Sequence, residues 1–316
     1  MSDPVLVYSR FPKSLMVRIG EKFDLIDAGG KPPSTVFTKE QLANVRALIT
    51  AGGQKLGGDV MDMLPKLGAI VCYGTGYDGI DLQAAKDRNI LVGNSPAANA
   101  SAVADLAMTL MLAVTRRIIP GDQYVRSGGW ASAMPSPQMA PLMGMPGARI
   151  GVYGMGAIGR KIASRAAAFE MNVGYFNRTK YDDLPYTYYP TLDALVEWCD
   201  ILMVAVRAGA DTQHIINAGM LKKLGSNGTI VNISRGSTID QKALIAALRD
   251  KTIAGAGLDV YEVEPHKPDA LSEFPNVIVT PHIGGHTLEA HQGMQNCVIA
   301  NLTAFFASKG MANPVM

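Results

Sequence analysis

Residues 150–159 read Ile150-Gly151-Val152-Tyr153-Gly154-Met155-Gly156-Ala157-Ile158-Gly159, an apolar run that ends in glycines spaced G-x-G-x-x-G. In a glycine-rich chain that spacing alone says little; its setting says more. The run before it reads as a strand. The residues after it open a helix with small side chains, Ala163, Ala166 and Ala167, on one face, and a second strand, Val173–Phe176, follows. Each glycine then has a physical job: a tight turn, backbone close to a pyrophosphate, and close helix–sheet contact. The helix N-terminus presents free N–H groups and the positive end of its dipole to phosphates. Gly154, Met155, Gly156, Ala157, Ile158 and Gly159 are therefore candidate dinucleotide-binding residues.

The position that reads the adenosine ribose sharpens the cofactor. An NAD site calls for a carboxylate about 20 residues on, to hold the 2′-hydroxyl. Here Asn177 stands at that place, followed by Arg178, Thr179 and Lys180. A neutral amide, a guanidinium, a hydroxyl and an ammonium suit a 2′-phosphate. NADP(H) is the preferred cofactor on this reading, with NAD(H) possible; the plain alternative is a solvated basic turn.

Outward from this unit, short apolar runs alternate with helical patterns. Strands are expected at Val5–Tyr8, Phe23–Ile26, Ala47–Thr50, Ala69–Cys72 and Ile90–Val92, with helices such as Asp59–Leu64 and Asp81–Asp87 between them. A long helical segment spans roughly Ser101 to Arg126, and Ser127–Gly147, rich in glycine, proline and methionine, reads as an excursion loop. Strands resume at Arg149–Tyr153, Asn172–Phe176, Ile201–Val204, Thr229–Asn232, Ala254–Leu258 and Val277–Thr280. A final helix is expected from about Thr287 to Ala307. That rhythm predicts α/β architecture wound from βαβ units, and 316 residues suit two such domains.

Composition narrows the partners. The chain is 48% hydrophobic and 18% charged with a net charge of +2, which gives no reason to expect nucleic acid or an anionic membrane. Cys72, Cys199 and Cys297 are odd in number and widely spaced, so neither a disulfide framework nor a metal site is expected. The N-terminus has no signal-peptide pattern, and the most apolar stretch, Val103–Val114, falls short of the ~20 residues that span a bilayer. A cytoplasmic protein is the expectation.

Three polar residues stand just past later strands: Arg235 after Thr229–Asn232, Glu264 before Pro265, and His282 after Pro281. Singly, each has a bland reading as a surface arginine, a turn glutamate or a loop histidine. Together, and in this order, they resemble the D-isomer-specific 2-hydroxyacid dehydrogenases. The resemblance runs over nearly the full length through Tyr73-Gly74-Thr75-Gly76-Tyr77-Asp78, Val152–Gly159, Ser234-Arg235-Gly236, Leu258-Asp259-Val260 with Glu264-Pro265, and Pro281-His282-Ile283-Gly284-Gly285. Within the family the chain looks most like the NADPH-dependent glyoxylate/hydroxypyruvate reductases and plant hydroxyphenylpyruvate reductases. That likeness rests on Tyr124–Trp130, Tyr175–Lys180 and His214-Ile215-Ile216-Asn217.

The resemblance implies two doubly wound parallel-sheet domains: a Rossmann nucleotide domain over 99–289, and a smaller flavodoxin-like substrate domain from 1–98 plus 290–316. It implies hydride transfer to a small 2-keto acid, with Arg235 binding the carbonyl oxygen and carboxylate and His282 as general acid held by Glu264. It implies substrate contacts at Gly52, Thr75 and Gly76. Further cofactor contacts would fall at Val206, Arg207, Thr212, Ile233 and Ser234, and at Asp259, His282 and Gly284, with Asp259 meeting the nicotinamide carboxamide. One departure stands out. Where many relatives carry Pro-Leu-Thr after strand Ile201–Val204, this chain has Val206-Arg207-Ala208-Gly209-Ala210-Asp211-Thr212, so Arg207 reaches either a phosphate or solvent. A homodimer through the nucleotide domain is implied, with Trp130 either reaching a neighbour's site or packing its own loop. Three other readings stay open: a reductase of a bulkier 2-keto acid such as hydroxyphenylpyruvate, an NAD-linked oxidant of another D-2-hydroxy acid, and a catalytically silent nucleotide-sensing corepressor.

Overall fold

The computed structural model describes residues 4–132, 143–267 and 270–315. The chain divides into two compact units, one built from residues 1–99 and 285–316, the other from 100–284. In the first, strands β1 (Val5–Val7), β2 (Leu25–Asp27), β3 (Ala47–Thr50), β4 (Ala69–Cys72) and β5 (Leu91–Gly93) pair in parallel. Their order is β2-β1-β3-β4-β5, the flavodoxin-like winding, in which the sequence direction reverses beside β1 and β3. Leu6, Leu48, Ile70 and Val92 point into one buried cluster. Val5, Val7, Ile49 and Val71 alternate to the other face and are buried too. A sheet covered on both faces explains why its strands read as unbroken apolar runs.

The second unit holds β6 (Arg149–Tyr153), β7 (Asn172–Phe176), β8 (Thr187–Tyr188), β9 (Ile201–Val204), β10 (Thr229–Asn232), β11 (Gly255–Leu258) and β12 (Val277–Val279). All pair in parallel, in the order β12-β11-β10-β9-β6-β7-β8. Its two faces carry separate cores. Ile150, Val152, Val173, Tyr175 and Met203 share one with Val103, Ala107 and Leu110 of the helix Ala100–Thr115. Tyr153, Leu202, Val204, Ile230 and Leu258 share the other with Leu195, Leu221 and Leu244. Winding reverses between β6 and β9, which places the crevice for a ligand at the carboxyl ends of those two strands.

The strands fall within a residue or two of the expected bounds. The long helical segment does not: it is two helices, Ala100–Thr115 and Ile118–Arg126. Arg117, at φ 49°, breaks it. A left-handed residue ends an α-helix whatever the apolar periodicity around it. Pro120, in the first turn of the second helix, has no N–H, and an N–H there would lack an intrahelical partner in any case. The edge strand Thr187–Tyr188 was not expected, being only two residues long. Of the excursion loop at 127–147, residues 133–142 lie outside the described residues. The final helix is Leu288–Phe306, capped by the Thr287 hydroxyl, which accepts from the Ala290 N–H at 3.2 Å.

Candidate active site

The glycine turn follows β6 and meets the chain leaving β9, at the reversal. Gly154 has φ +98°, and a Cβ there would sit 2.6 Å from the Val206 backbone. Only glycine satisfies both constraints. A Cβ on Gly159 would fall 2.0 Å from the Gly154 carbonyl oxygen, so helix and turn touch backbone to backbone. Gly156 differs: nothing lies within 4 Å of its missing Cβ. It is the N-cap of the helix Ala157–Ala168 and supplies no side-chain cap. Open space over uncapped N–H groups fits a pyrophosphate.

The turn after β7 is braced from below. Tyr175, fully buried, donates its hydroxyl to the Tyr181 carbonyl at 3.2 Å and accepts from the Tyr181 N–H at 2.9 Å. Arg160, in the first turn of the phosphate-facing helix, stacks 4.4 Å over the Tyr181 ring and reaches Asp183 at 2.7 Å. The Asn177 side-chain oxygen accepts from the Met155 N–H at 3.4 Å, while its Nδ2 donates to the Thr179 carbonyl at 3.2 Å. Lys180 lies 3.6 Å from Asp182. Arg178 is exposed and makes no hydrogen bond or ion pair among the described residues. Asn177 stands at the position of the ribose-reading acid, and among the described residues Lys180 has a carboxylate beside it whereas Arg178 does not.

At the carboxyl ends of β10, β11 and β12 three groups converge. His282 Nδ1 lies 2.7 Å from Glu264 Oε2, and Glu264 Oε1 accepts from the Tyr261 N–H at 3.0 Å. With a carboxylate as its partner, Nδ1 carries the proton in the neutral ring and Nε2 is left to face a substrate. His282 itself sits at φ 53°. Burial pushes the Glu264 carboxyl up, but the bond to His282, its charge, the Tyr261 N–H and the Arg235 charge outweigh this and hold it below its ordinary value. The Glu264 hydrogen bond raises His282 above the usual imidazole range against burial; the Glu264 and Asp259 charges add to the rise and Arg235 opposes it. Arg235 is half-buried, with Nη1 2.8 Å from the Ser234 carbonyl.

One side chain that holds this cluster, Asn232, escaped sequence reasoning, and a second, Asp259, was expected in another role. Asn232, 1% exposed at the end of β10, donates to the Arg235 carbonyl at 3.0 Å and accepts from the Ser234 N–H at 3.0 Å. A polar residue closing an apolar strand was the available signal. Asp259 was expected to meet the nicotinamide carboxamide. Its oxygens accept from the Thr280 hydroxyl at 2.6 Å and from the N–H groups of Ile283 and Gly284, each at 2.8 Å. It fixes the turn that carries His282, and a carboxamide contact stays a proposal.

The remaining expected contacts are placed as follows. Ser234, following Ile233, donates its hydroxyl to the Val206 carbonyl, joining the loops after β9 and β10. The Thr212 hydroxyl closes the 207–212 loop by accepting from the Gly209 N–H at 2.9 Å and lying 3.3 Å from the Arg207 carbonyl. In the first unit, Gly52 follows β3 and the 73–76 segment follows β4. A Cβ on Gly52 would strike the Gly76 oxygen at 1.7 Å. The Thr75 hydroxyl lies 3.0 Å from both the Ser95 carbonyl and Asn99 Oδ1. Among the described residues the Thr75 and Gly76 N–H groups donate to nothing. Burial pushes the Cys72 and Cys199 thiols up to about 12, aided by Asp78 and Asp200 respectively, which removes them as nucleophiles.

A dinucleotide turn at a Rossmann reversal, with an Arg, Glu and His at neighbouring strand ends, defines a nicotinamide-nucleotide oxidoreductase acting on a CH–OH/C=O pair. Residues 108–284 match the family model for the D-isomer specific 2-hydroxyacid dehydrogenase NAD binding domain. The chain belongs to that family. It is 35% identical over 312 residues to a glyoxylate/hydroxypyruvate reductase of Arabidopsis thaliana, covering 99% of this chain and 98% of the relative. It is 40% identical over 273 residues to a 2-ketogluconate reductase of Gluconobacter oxydans, covering 86% of each. Among solved structures it is similar to the NADPH-dependent glyoxylate/hydroxypyruvate reductase of Sinorhizobium meliloti in complex with NADP and malonate. That likeness has a TM-score of 0.92 at 35% identity and covers 100% and 97% of the two chains. Among the described residues no helix is long and apolar enough to cross a membrane.

Proposed function

We propose that the chain reduces a small 2-keto acid of the glyoxylate or hydroxypyruvate type to its D-2-hydroxy acid, with NADPH as the preferred reductant. The observation that carries this reading is the 2.7 Å His282–Glu264 pair under the reach of the Arg235 charge. The bound reduced nicotinamide supplies the hydride to the carbonyl carbon. The chain's own residues do the rest. Arg235 presents a planar fork to the substrate carbonyl oxygen and carboxylate and stabilises negative charge as it develops. His282 delivers its Nε2 proton to that oxygen, and Glu264 holds the imidazole in register and favours its protonated form. In the first unit, the unengaged N–H groups of Thr75 and Gly76, beside Gly52, are suited to a carboxylate.

The preference for NADPH rests on Arg178 and on Asn177 in place of an acid. Arg207, Val206, Thr212, Ile233, Ser234, Asp259 and Gly284 complete the proposed cofactor contacts. A homodimer through the nucleotide unit is supported by an exposed apolar face: Ile118 is 54%, Val125 53% and Trp130 74% exposed. Trp130→Ala should then change keto-acid selectivity more than NADPH affinity, and a fully active monomer would contradict the dimer. A reducing, cytoplasmic location accords with unpaired Cys72, Cys199 and Cys297. Initial rates with NADPH and NADH against glyoxylate, hydroxypyruvate, 2-ketogluconate and hydroxyphenylpyruvate test the proposal. Fastest turnover with a small keto acid and NADPH is expected; equal use of NADH, or preference for a bulky acid, would contradict it.

A further inference from the structure

The loop after β11 carries two carboxylates, and only Glu264 faces His282. Glu262, two residues earlier, lies 2.7 Å from His214 Nε2 and accepts the Gln241 N–H at 3.1 Å. Gln241 returns the bond, its side-chain oxygen accepting the Glu262 N–H at 3.3 Å. His214 belongs to the segment after β9, and its backbone serves a different loop. Its N–H donates to the Ser237 carbonyl at 2.8 Å, and the Ile216 N–H donates to the Thr238 carbonyl at 3.1 Å. Ser237 and Thr238 lie in the turn that starts at Arg235. One residue thus grips both loops, with its backbone on the Arg235 turn and its ring on the Glu264 loop.

Two further features show that this grip is built in. His214 sits at φ 48°, a conformation few non-glycine residues adopt, and one that the surrounding bonds must hold in place. The two gripped loops also touch directly: a Cβ on Gly236 would fall 1.8 Å from the Tyr261 carbonyl carbon. At so close a contact, any displacement of residues 261–262 moves the Arg235 turn as well. Tyr261 is also the residue whose N–H holds Glu264.

We propose that His214 and Glu262 form a positioning clamp that sets Arg235 and Glu264 in mutual register, and through Glu264 the general acid His282. Neither residue need touch the substrate. The idea rests on His282 being the general acid, and the test separates the two claims. The groups facing His282 are Glu264, Arg235 and Asp259, so loosening Glu264 leaves Arg235, which opposes protonation, relatively stronger. Activity in the reducing direction falls as His282 deprotonates. The alkaline limb of the kcat profile should therefore move to lower pH when the clamp is cut.

The experiment compares Glu262→Ala, His214→Asn and Glu262→Gln with the unmodified enzyme, using NADPH and hydroxypyruvate across pH. Glu262→Ala and His214→Asn should each lower kcat on the order of tenfold, the scale of a small misplacement at a reacting centre. Each should shift the alkaline limb down while the Kd for NADPH stays within about twofold, a change too small to reflect a lost contact. Glu262→Gln, which keeps an acceptor oxygen for both His214 and the Gln241 N–H, should recover most of the lost turnover. A fall in kcat with the limb unmoved would overturn the clamp, as would unchanged turnover in both cutting variants. Full turnover in His282→Ala would instead overturn the catalytic assignment, and the clamp with it.

Discussion

The two ends of the seven-stranded sheet use the same residue types for different ends. At the amino ends, polar side chains close on backbone and on each other. Asp200, at the start of β9, accepts from the Arg149 N–H at 2.9 Å and lies 2.6 Å from its guanidinium. Asn172 donates to the Gly147 carbonyl at 2.8 Å, and Asn276 to the Ala254 carbonyl at 2.7 Å. At the carboxyl ends, Glu264 and His282 also pair, but the pair engages Nδ1 and leaves His282 Nε2 to face a substrate, on a residue at φ 53°. Capacity left over, rather than charge as such, separates a site from a brace. Positive φ occurs at both ends, at Gly147, Glu170, Gly225 and Lys251 before strands and at Gly154, His214 and His282 after them, so strain alone does not mark the site.

The largest effect should come from His282→Ala. Loss of the general acid should depress kcat by roughly 10²–10⁴ while NADPH still binds. Arg235→Lys should cost on the order of a hundredfold, because a point charge cannot replace a planar fork. Retained turnover in either variant would break the comparison at its catalytic end.

Cofactor choice should respond next. A charged hydrogen bond from Arg178 to a 2′-phosphate is worth about 1.5–3 kcal/mol, roughly ten- to a hundredfold in preference. Exposure of Arg178 favours the low end. Asn177→Asp with Arg178→Ile should turn preference toward NADH and leave the keto-acid KM nearly unchanged. Steady-state kinetics with both cofactors decides it; a double variant that still prefers NADPH would move recognition elsewhere, with Arg207 the first residue to test.

Much of this was legible in the sequence, for reasons that differ by element. The parallel strands showed as short apolar runs because both faces of each sheet are buried. The glycine turn showed because Gly154 and Gly159 meet backbone too closely for a side chain and Gly156 falls at the fixed spacing between them. Arg235, Glu264 and His282 were different: nothing in local pattern marks an arginine after a strand as catalytic, and only their joint order in the family's frame did. The break at Arg117 was missed because an arginine carries no local signal for a left-handed conformation, although Pro120 offered a hint. Asn232, Asp259 and the His214–Glu262 contact were hidden in their roles, since each acts across loops far apart in sequence.

Smaller effects sharpen the comparison further. Glu264 raises His282 above its ordinary value, so reduction should persist as pH climbs past the usual imidazole range and fade as pH passes the raised value. Glu264→Gln should bring that limb down toward the ordinary value and lower kcat less than His282→Ala does. A limb that stays in place would mean that Glu264 does not set the acid's pKa. At the amino ends, Asp200 is held below its ordinary value first by the Arg149 hydrogen bond, against partial burial. Its contribution to stability is therefore present above the unfolded carboxyl pKa and lost as pH falls through the lower folded value. With Arg149 half-exposed, Asp200→Asn should cost only about 1 kcal/mol, seen as a small drop in Tm at neutral pH that disappears in acid.

The contrast between the two ends is tested most directly by measuring kcat and Tm together for His282→Ala and Asp200→Asn. The account predicts a dissociation in both directions: His282→Ala loses turnover of NADPH with hydroxypyruvate at nearly unchanged Tm, and Asp200→Asn loses Tm at nearly unchanged kcat. If His282→Ala melts early and keeps its turnover, or Asp200→Asn stops the reaction without lowering Tm, the chemistry is not where the carboxyl ends place it.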